Sequence, residues 1–107
     1  FKAGEYQDAI TSLQLVRETD ARYPVALAYL GAAYDLSGEN EKAISTFDIL
    51  SDLENSIDRS KGYWYKLLIY MKSEDLPNSL KTLEIILQDP ANYNYDKAVA
   101  LYKELTE

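Results

Sequence analysis

The chain has 107 residues, of which 47% are hydrophobic, and its net charge is −7 at pH 7. A chain of this length usually forms one domain. It contains no Cys and no His, which excludes disulfides, Cys-bearing zinc sites, Cys nucleophiles and His general bases. The acidic balance argues against a nucleic-acid partner, which needs a clustered Lys/Arg surface. No apolar run reaches the roughly 18 residues of a membrane span, so we expect no membrane insertion.

Amphipathic segments follow one another along the whole chain, with apolar residues at i, i+3 or i+4, and i+7. They predict six helices, at 5–20, 24–37, 40–53, 59–72, 77–88 and 94–106. Pro24 and Pro77 suit the first turn of a helix, where the missing amide hydrogen costs nothing. Gly38 suits the left-handed cap that ends a helix. Because no alternating β-type run occurs, we predict an all-α fold and a single domain covering 1–107.

These segments also repeat. The stretch from Gly4 to Ile10 aligns with the stretch from Gly38 to Ile44, 34 residues later. Further along, Leu13, Leu15 and Val16 align with Phe47, Ile49 and Leu50. A third copy follows at a spacing of 36 as Ser79, Leu80, Leu83, Ile85 and Ile86, and the intervening segments align at Ala26, Gly62 and Ala98. The repeating unit is therefore a pair of helices.

The central copy carries Leu-Gly-x-x-Tyr on one helix, a Gly in the turn, and Ala-x-x-x-Phe on the next helix, at Leu30, Gly31, Tyr34, Gly38, Ala43 and Phe47. It resembles the tetratricopeptide repeat (TPR). The resemblance implies antiparallel helix hairpins stacked as a right-handed α-solenoid. It divides the chain into the second half of a repeat (1–23), a full repeat (24–57), a degenerate repeat (58–93) and a C-terminal capping helix (94–107). Residues 1–3 would be the tail of an earlier helix, so we expect the parent protein to continue upstream.

In TPR proteins the first helix of each hairpin lines a concave face that holds partner segments. Carried over by position, the partner-binding candidates are Tyr29, Asp35, Trp64, Tyr65, Leu68, Met71 and Lys72. Trp64, Leu68 and Met71 are spaced i, i+4, i+7 and make one stripe of a helix, beside a second stripe at Tyr63, Leu67 and Tyr70. Either the first stripe is open to a ligand, or this helix is buried on all sides between its neighbours.

The expected function is that of a protein-protein interaction scaffold, which binds an extended or helical segment of a partner in a concave groove. The alternative is structural, as a self-association or spacer module within a larger multidomain protein. Nothing singles out one carboxylate held in an apolar pocket beside another, the remaining catalytic option, so we expect no enzyme, no cofactor and no metal site. We expect a monomer, or a weak homodimer through the N-terminal end.

Overall fold

The computed structural model describes residues 3–107, with side chains from Glu5 onward, and this range is all-helical without strands. The helices are α1 (Ala3–Leu13), α2 (Tyr23–Leu36), α3 (Asn40–Ser51), α4 (Ser56–Lys72), α5 (Leu76–Ile86) and α6 (Tyr95–Thr106). The predicted all-α fold with six helices is confirmed. The expectation of an upstream helix depended on residues 1–3; Phe1 and Lys2 lie outside the described residues, and Ala3 is the first residue of α1, not the tail of an earlier helix.

Each helix packs on the next along the chain, and α2 also contacts α4. The described residues span 42 × 28 × 18 Å. One buried cluster joins α1 to α4 and consists of Ile10, Leu27, Ala33, Tyr34, Ala43, Phe47, Leu50 and Ile69. A second cluster joins α4 to α6 and consists of Leu67, Leu83, Ile86 and Ala98. Because α4 contributes to both clusters, it connects the two halves of the core.

The first helix ends at Leu13, so the prediction of a helix as far as residue 20 is wrong. The Gln14 amide still donates to the Ile10 carbonyl, at 3.1 Å. The amides of Leu15 and Val16 instead donate to carbonyls only three residues back, at 3.2 Å each, which is the tightening typical of a helix end. The alignment of Leu15 with Ile49 therefore does not extend to secondary structure.

An Asp20–Arg22 turn stabilises the non-helical backbone between α1 and α2. The Asp20 carboxylate accepts hydrogen bonds from the Arg22 backbone amide at 2.8 Å and from the Arg22 guanidinium at 2.8 and 3.1 Å. The side-chain hydrogen bond from Arg22, followed by the backbone one, lowers the pKa of Asp20 from 3.8 to about 2. A short acidic side chain that satisfies a nearby amide stabilises a turn, and this turn leads directly into α2, which begins at Tyr23.

The turns that follow α2 and α4 are built alike. Gly38 has a φ of +85° and Glu74, 36 residues later, has a φ of +57°. After α2, the Gly38 amide donates to the Asp35 carbonyl at 3.1 Å. The Glu39 amide donates to the Tyr34 carbonyl at 2.8 Å, and the turn at Glu74 contains the same pair of bonds at 3.1 and 2.8 Å. Both turns are therefore Schellman caps, as predicted for Gly38.

Candidate functional site

A groove lies between α2 and α4, over α3. Its cavity has a volume of about 350 Å³. It is lined by Pro24, Val25, Ala28, Tyr29 and Ala32 from α2, Phe47 and Leu50 from α3, and Asp58, Lys61 and Tyr65 from α4. We call this surface the α2–α4 groove.

Two glycines let α2 and α4 lie close to α3. A Cβ at Gly31 on α2 would lie 2.2 Å from the Phe47 ring. A Cβ at Gly62 on α4 would lie 2.4 Å from the backbone nitrogen of Ser51 on α3. Because real Cβ atoms do not approach other atoms so closely, any larger residue would push the helices apart. The absence of a side chain at these positions therefore sets the width of the groove and leaves Phe47 as its floor.

Aromatic side chains form one side of the groove. The Tyr65 ring centroid lies 5.3 Å from that of Phe47 and 6.4 Å from that of Tyr93, in an edge-on arrangement with Tyr93. The Tyr93 amide donates to the Ser60 hydroxyl at 2.9 Å, which ties the loop before α6 to α4. Burial raises the pKa of the Tyr65 phenol above its usual 10.0, and the neighbouring Tyr93 and Tyr29 phenols contribute further. The Tyr65 ring therefore lies between Phe47 of α3 and Tyr93 of the loop before α6.

The lysines on the groove side of α4 are engaged in contacts. Lys72 forms an ion pair with Asp35 and so connects the ends of α4 and α2. Lys61 lies over the Tyr93 ring, with its Nζ 5.4 Å from the ring centroid, in a cation–π contact. The lining of the groove is therefore mostly apolar and aromatic, and Asp58 and Lys61 are its charged members.

The structure brings five of the seven predicted residues to one surface. Tyr29 and Tyr65 line the groove, with 59% of Tyr29 exposed. Asp35 and Lys72 pair beside it. Leu68, 47% exposed, follows Tyr65 by three positions and shares its face of α4.

Trp64 and Met71 have a different environment. Both side chains are partly buried and pack against the second core cluster. The predicted stripe is therefore divided, with Leu68 exposed and Trp64 and Met71 packed between helices. Spacing along α4 could not separate them, because the way α5 and α6 pack decides which residues of α4 are covered.

The sequence analysis did not single out Tyr93 or the α3 residues that line the groove. Tyr93 lies between Asn92 and Asn94 in the loop before α6. The one signal that could have indicated it is the abundance of tyrosine, ten in 107 residues. Phe47 belongs to the repeat motif, and it also lines the bottom of the groove although it is only 4% exposed, because Gly31 lets α2 pack directly on its ring.

Among the described residues, no group of three or more Asp and Glu side chains is arranged to hold a metal ion. Within the same part of the chain, no helix has both the length and the apolarity to cross a membrane. No protein-family model matches this chain, and no curated protein or solved structure is significantly similar to it. Arguments about its function therefore depend on its own residues.

Proposed function

We propose that this chain is a non-catalytic protein-binding module, a TPR-like stack of helix hairpins whose α2–α4 groove holds a short segment of a partner protein. The observation that carries the proposal is the groove itself, with Tyr29 59% exposed above a floor of Phe47 and Leu50. Tyrosine is among the residue types enriched at protein interfaces and at their energetic hot spots.

The repeat architecture is supported by features that recur at the predicted spacing. The Schellman caps at Gly38 and Glu74 lie 36 residues apart. The small residues Ala26, Gly62 and Ala98, which are aligned at that spacing, are all buried. In addition, α2 and α4 both pack on α3 and contact each other, which is the relation expected of the first helices of successive hairpins in a solenoid.

A selection experiment tests the proposal. A display library of random peptides is selected on the wild-type chain, and enriched peptides are titrated into wild type and a Tyr29→Ala variant by calorimetry. Truncation of an interface hot spot costs at least about 1 kcal/mol, so we expect a loss of affinity of about fivefold or more. The control is Ile85→Ala, a residue of α5 that is 38% exposed and should leave binding unchanged. Enriched peptides that bind Tyr29→Ala as well as wild type would contradict the proposal.

A second candidate function, self-association, is favoured by a different surface. A cavity of about 490 Å³ lies at the end of α1, and its lining includes Leu15 and Ile49. These two residues are 78% and 47% exposed, respectively. Burying them against a second copy would remove apolar area from water. Sedimentation velocity over a concentration series distinguishes the functions: a dimer that a Leu15→Glu substitution abolishes favours self-association, and a monomer at all concentrations contradicts it.

A further inference from the structure

Tyr93 does not line the α2–α4 groove, but its ring contacts two side chains that do. The Lys61 Nζ lies over this ring, 5.4 Å from the centroid. The Tyr65 ring lies beside it in an edge-on arrangement, with the two centroids 6.4 Å apart. Lys61 and Tyr65 both line the groove, and because they are four positions apart they share one face of α4. The position of a single ring therefore restricts the rotamers of both side chains.

Hydrogen bonds hold the loop that carries Tyr93. Its backbone amide donates to the Ser60 hydroxyl at 2.9 Å, and that hydroxyl donates in turn to the Ile57 carbonyl at 2.9 Å. Ser60 is only 2% exposed, so breaking this bond would leave buried polar groups unpaired, which is costly. The neighbouring Asn92 side-chain amide donates to the Ile86 carbonyl at 2.9 Å. The loop is therefore attached to both α4 and α5, and this fixes the position of the Tyr93 ring.

Lys61 depends on Tyr93 more than the other lysines of α4 do. Those two lysines form ion pairs with carboxylates of α3 and α2. Within the part of the chain that the structure describes, the Lys61 ammonium forms no ion pair and no side-chain hydrogen bond. Its polar contact there is the cation–π contact with the Tyr93 ring. Removing the ring would therefore free a long, flexible side chain inside the groove.

A side chain that is ordered before binding favours affinity, because its conformational entropy is already lost when the partner segment arrives. Each flexible side chain that must instead be immobilised on binding lowers affinity by roughly two- to tenfold. Lysine is among the side chains that lose the most rotamer freedom when they are ordered. Freeing Lys61 alone is therefore expected to weaken binding in the groove by an amount in this range.

We propose that Tyr93 is a positioning residue of the α2–α4 groove, which raises the affinity for a partner segment by holding Lys61 and Tyr65 in place. The proposal rests on the proposed function of the groove and adds to it a residue from the loop between α5 and α6. Because a coupling between two sites is reciprocal, a segment bound in the groove also stabilises the conformation of this loop.

The first test is made by NMR on the chain without a peptide. Since the Lys61 ammonium lies over the Tyr93 ring, the ring current should shift the ε-methylene protons of Lys61 upfield. We expect this shift in the wild type and in Tyr93→Phe, which keeps an aromatic ring, and its loss in Tyr93→Leu. Ser60→Ala removes the acceptor of the Tyr93 amide and should reduce the shift. Equal Lys61 shifts in wild type and Tyr93→Leu would overturn the proposal.

The second test measures affinity by calorimetry, with a display-selected peptide whose binding Tyr29→Ala weakens. Tyr93→Leu should weaken the binding of this peptide by roughly two- to tenfold, and Tyr93→Phe should bind it like the wild type. The matched control is Tyr102→Leu, the same substitution at a partly buried tyrosine of α6 that packs on the second core cluster and does not line the groove. It should leave affinity unchanged. Circular dichroism of each variant checks that it is folded.

Two affinity results would overturn the proposal: unchanged binding in Tyr93→Leu, or equal losses in Tyr93→Leu and Tyr93→Phe. The proposed function would survive either result, because it is tested by Tyr29→Ala. A loss in Tyr102→Leu as large as that in Tyr93→Leu would also overturn the proposal, since general loosening of the fold would then explain both. If no selected peptide depends on Tyr29, the proposed function fails, and the role of Tyr93 in binding fails with it.

Discussion

Replacing Glu74 by Gly removes a Cβ from a backbone position with a φ of +57°. For an L-residue the left-handed conformation costs roughly 1–2 kcal/mol, whereas Gly adopts it without a steric penalty. The extra flexibility that Gly gives the unfolded chain offsets about 0.5–1 kcal/mol of this gain. The expected net stabilisation is therefore between about 0 and 1.5 kcal/mol, centred on about 0.75 kcal/mol, which corresponds to a rise in Tm of roughly 3–6 °C for a domain of this size.

Glu74→Ala is the matched control. It removes the same negative charge from the C-terminal end of α4, where an acidic group is unfavourable because of the helix dipole. It retains the Cβ, so its gain should be limited to a few tenths of a kcal/mol. Urea denaturation and thermal unfolding followed by circular dichroism measure both variants. If Glu74→Gly proves no more stable than Glu74→Ala, the strain argument for this turn is wrong.

Three further perturbations test the packing around the groove. Gly62→Ala places a Cβ 2.4 Å from the Ser51 backbone nitrogen and should destabilise the fold by about 1–3 kcal/mol, so an unchanged urea midpoint would refute the close approach of α4 to α3. Trp64→Ala should lower the free energy of unfolding by roughly 1–3 kcal/mol, less than the truncation of a fully buried Trp, and should leave the affinity for groove-binding peptides unchanged. A loss of peptide affinity at unchanged stability would instead place Trp64 in the binding surface. The pKa of Tyr65 is raised in the folded state, so its contribution to stability is complete below pH 10 and is lost as pH rises through the folded-state pKa. Tyr65→Phe should therefore reduce the loss of stability that urea denaturation measures above pH 10. An unchanged pH dependence in this variant would contradict the prediction.

The helices were predictable from the sequence because each has an apolar face to bury, and the spacing of apolar residues along the chain reveals that face directly. The turn at Gly38 was predictable for a similarly local reason, since the left-handed conformation selects Gly. The end of α1 was not predictable from the sequence. The periodicity continues through Leu15 and Val16, while the Asp20 hydrogen bonds that stabilise the turn depend on side-chain geometry.

The candidate site was only partly predictable. Tyr29, Tyr65 and Leu68 lie on helix faces that spacing could identify. The environments of Trp64 and Met71 depend on where α6 packs, which is a long-range property. Tyr93 lies in a loop whose backbone amide donates a hydrogen bond to the Ser60 hydroxyl, and its ring lies beside Tyr65. No periodic pattern in the sequence marks such a residue.

We propose that the α2–α4 groove holds a partner segment, and its position can be mapped residue by residue. The most direct measurement is an NMR titration of the ¹⁵N-labelled chain with a peptide enriched in the display selection. We expect the largest amide shift changes on α2 between Ala28 and Asp35 and on α4 between Lys61 and Lys72, and we expect Tyr29→Ala to suppress them. Changes concentrated on α5 and α6, or on the turn after α1, would contradict it.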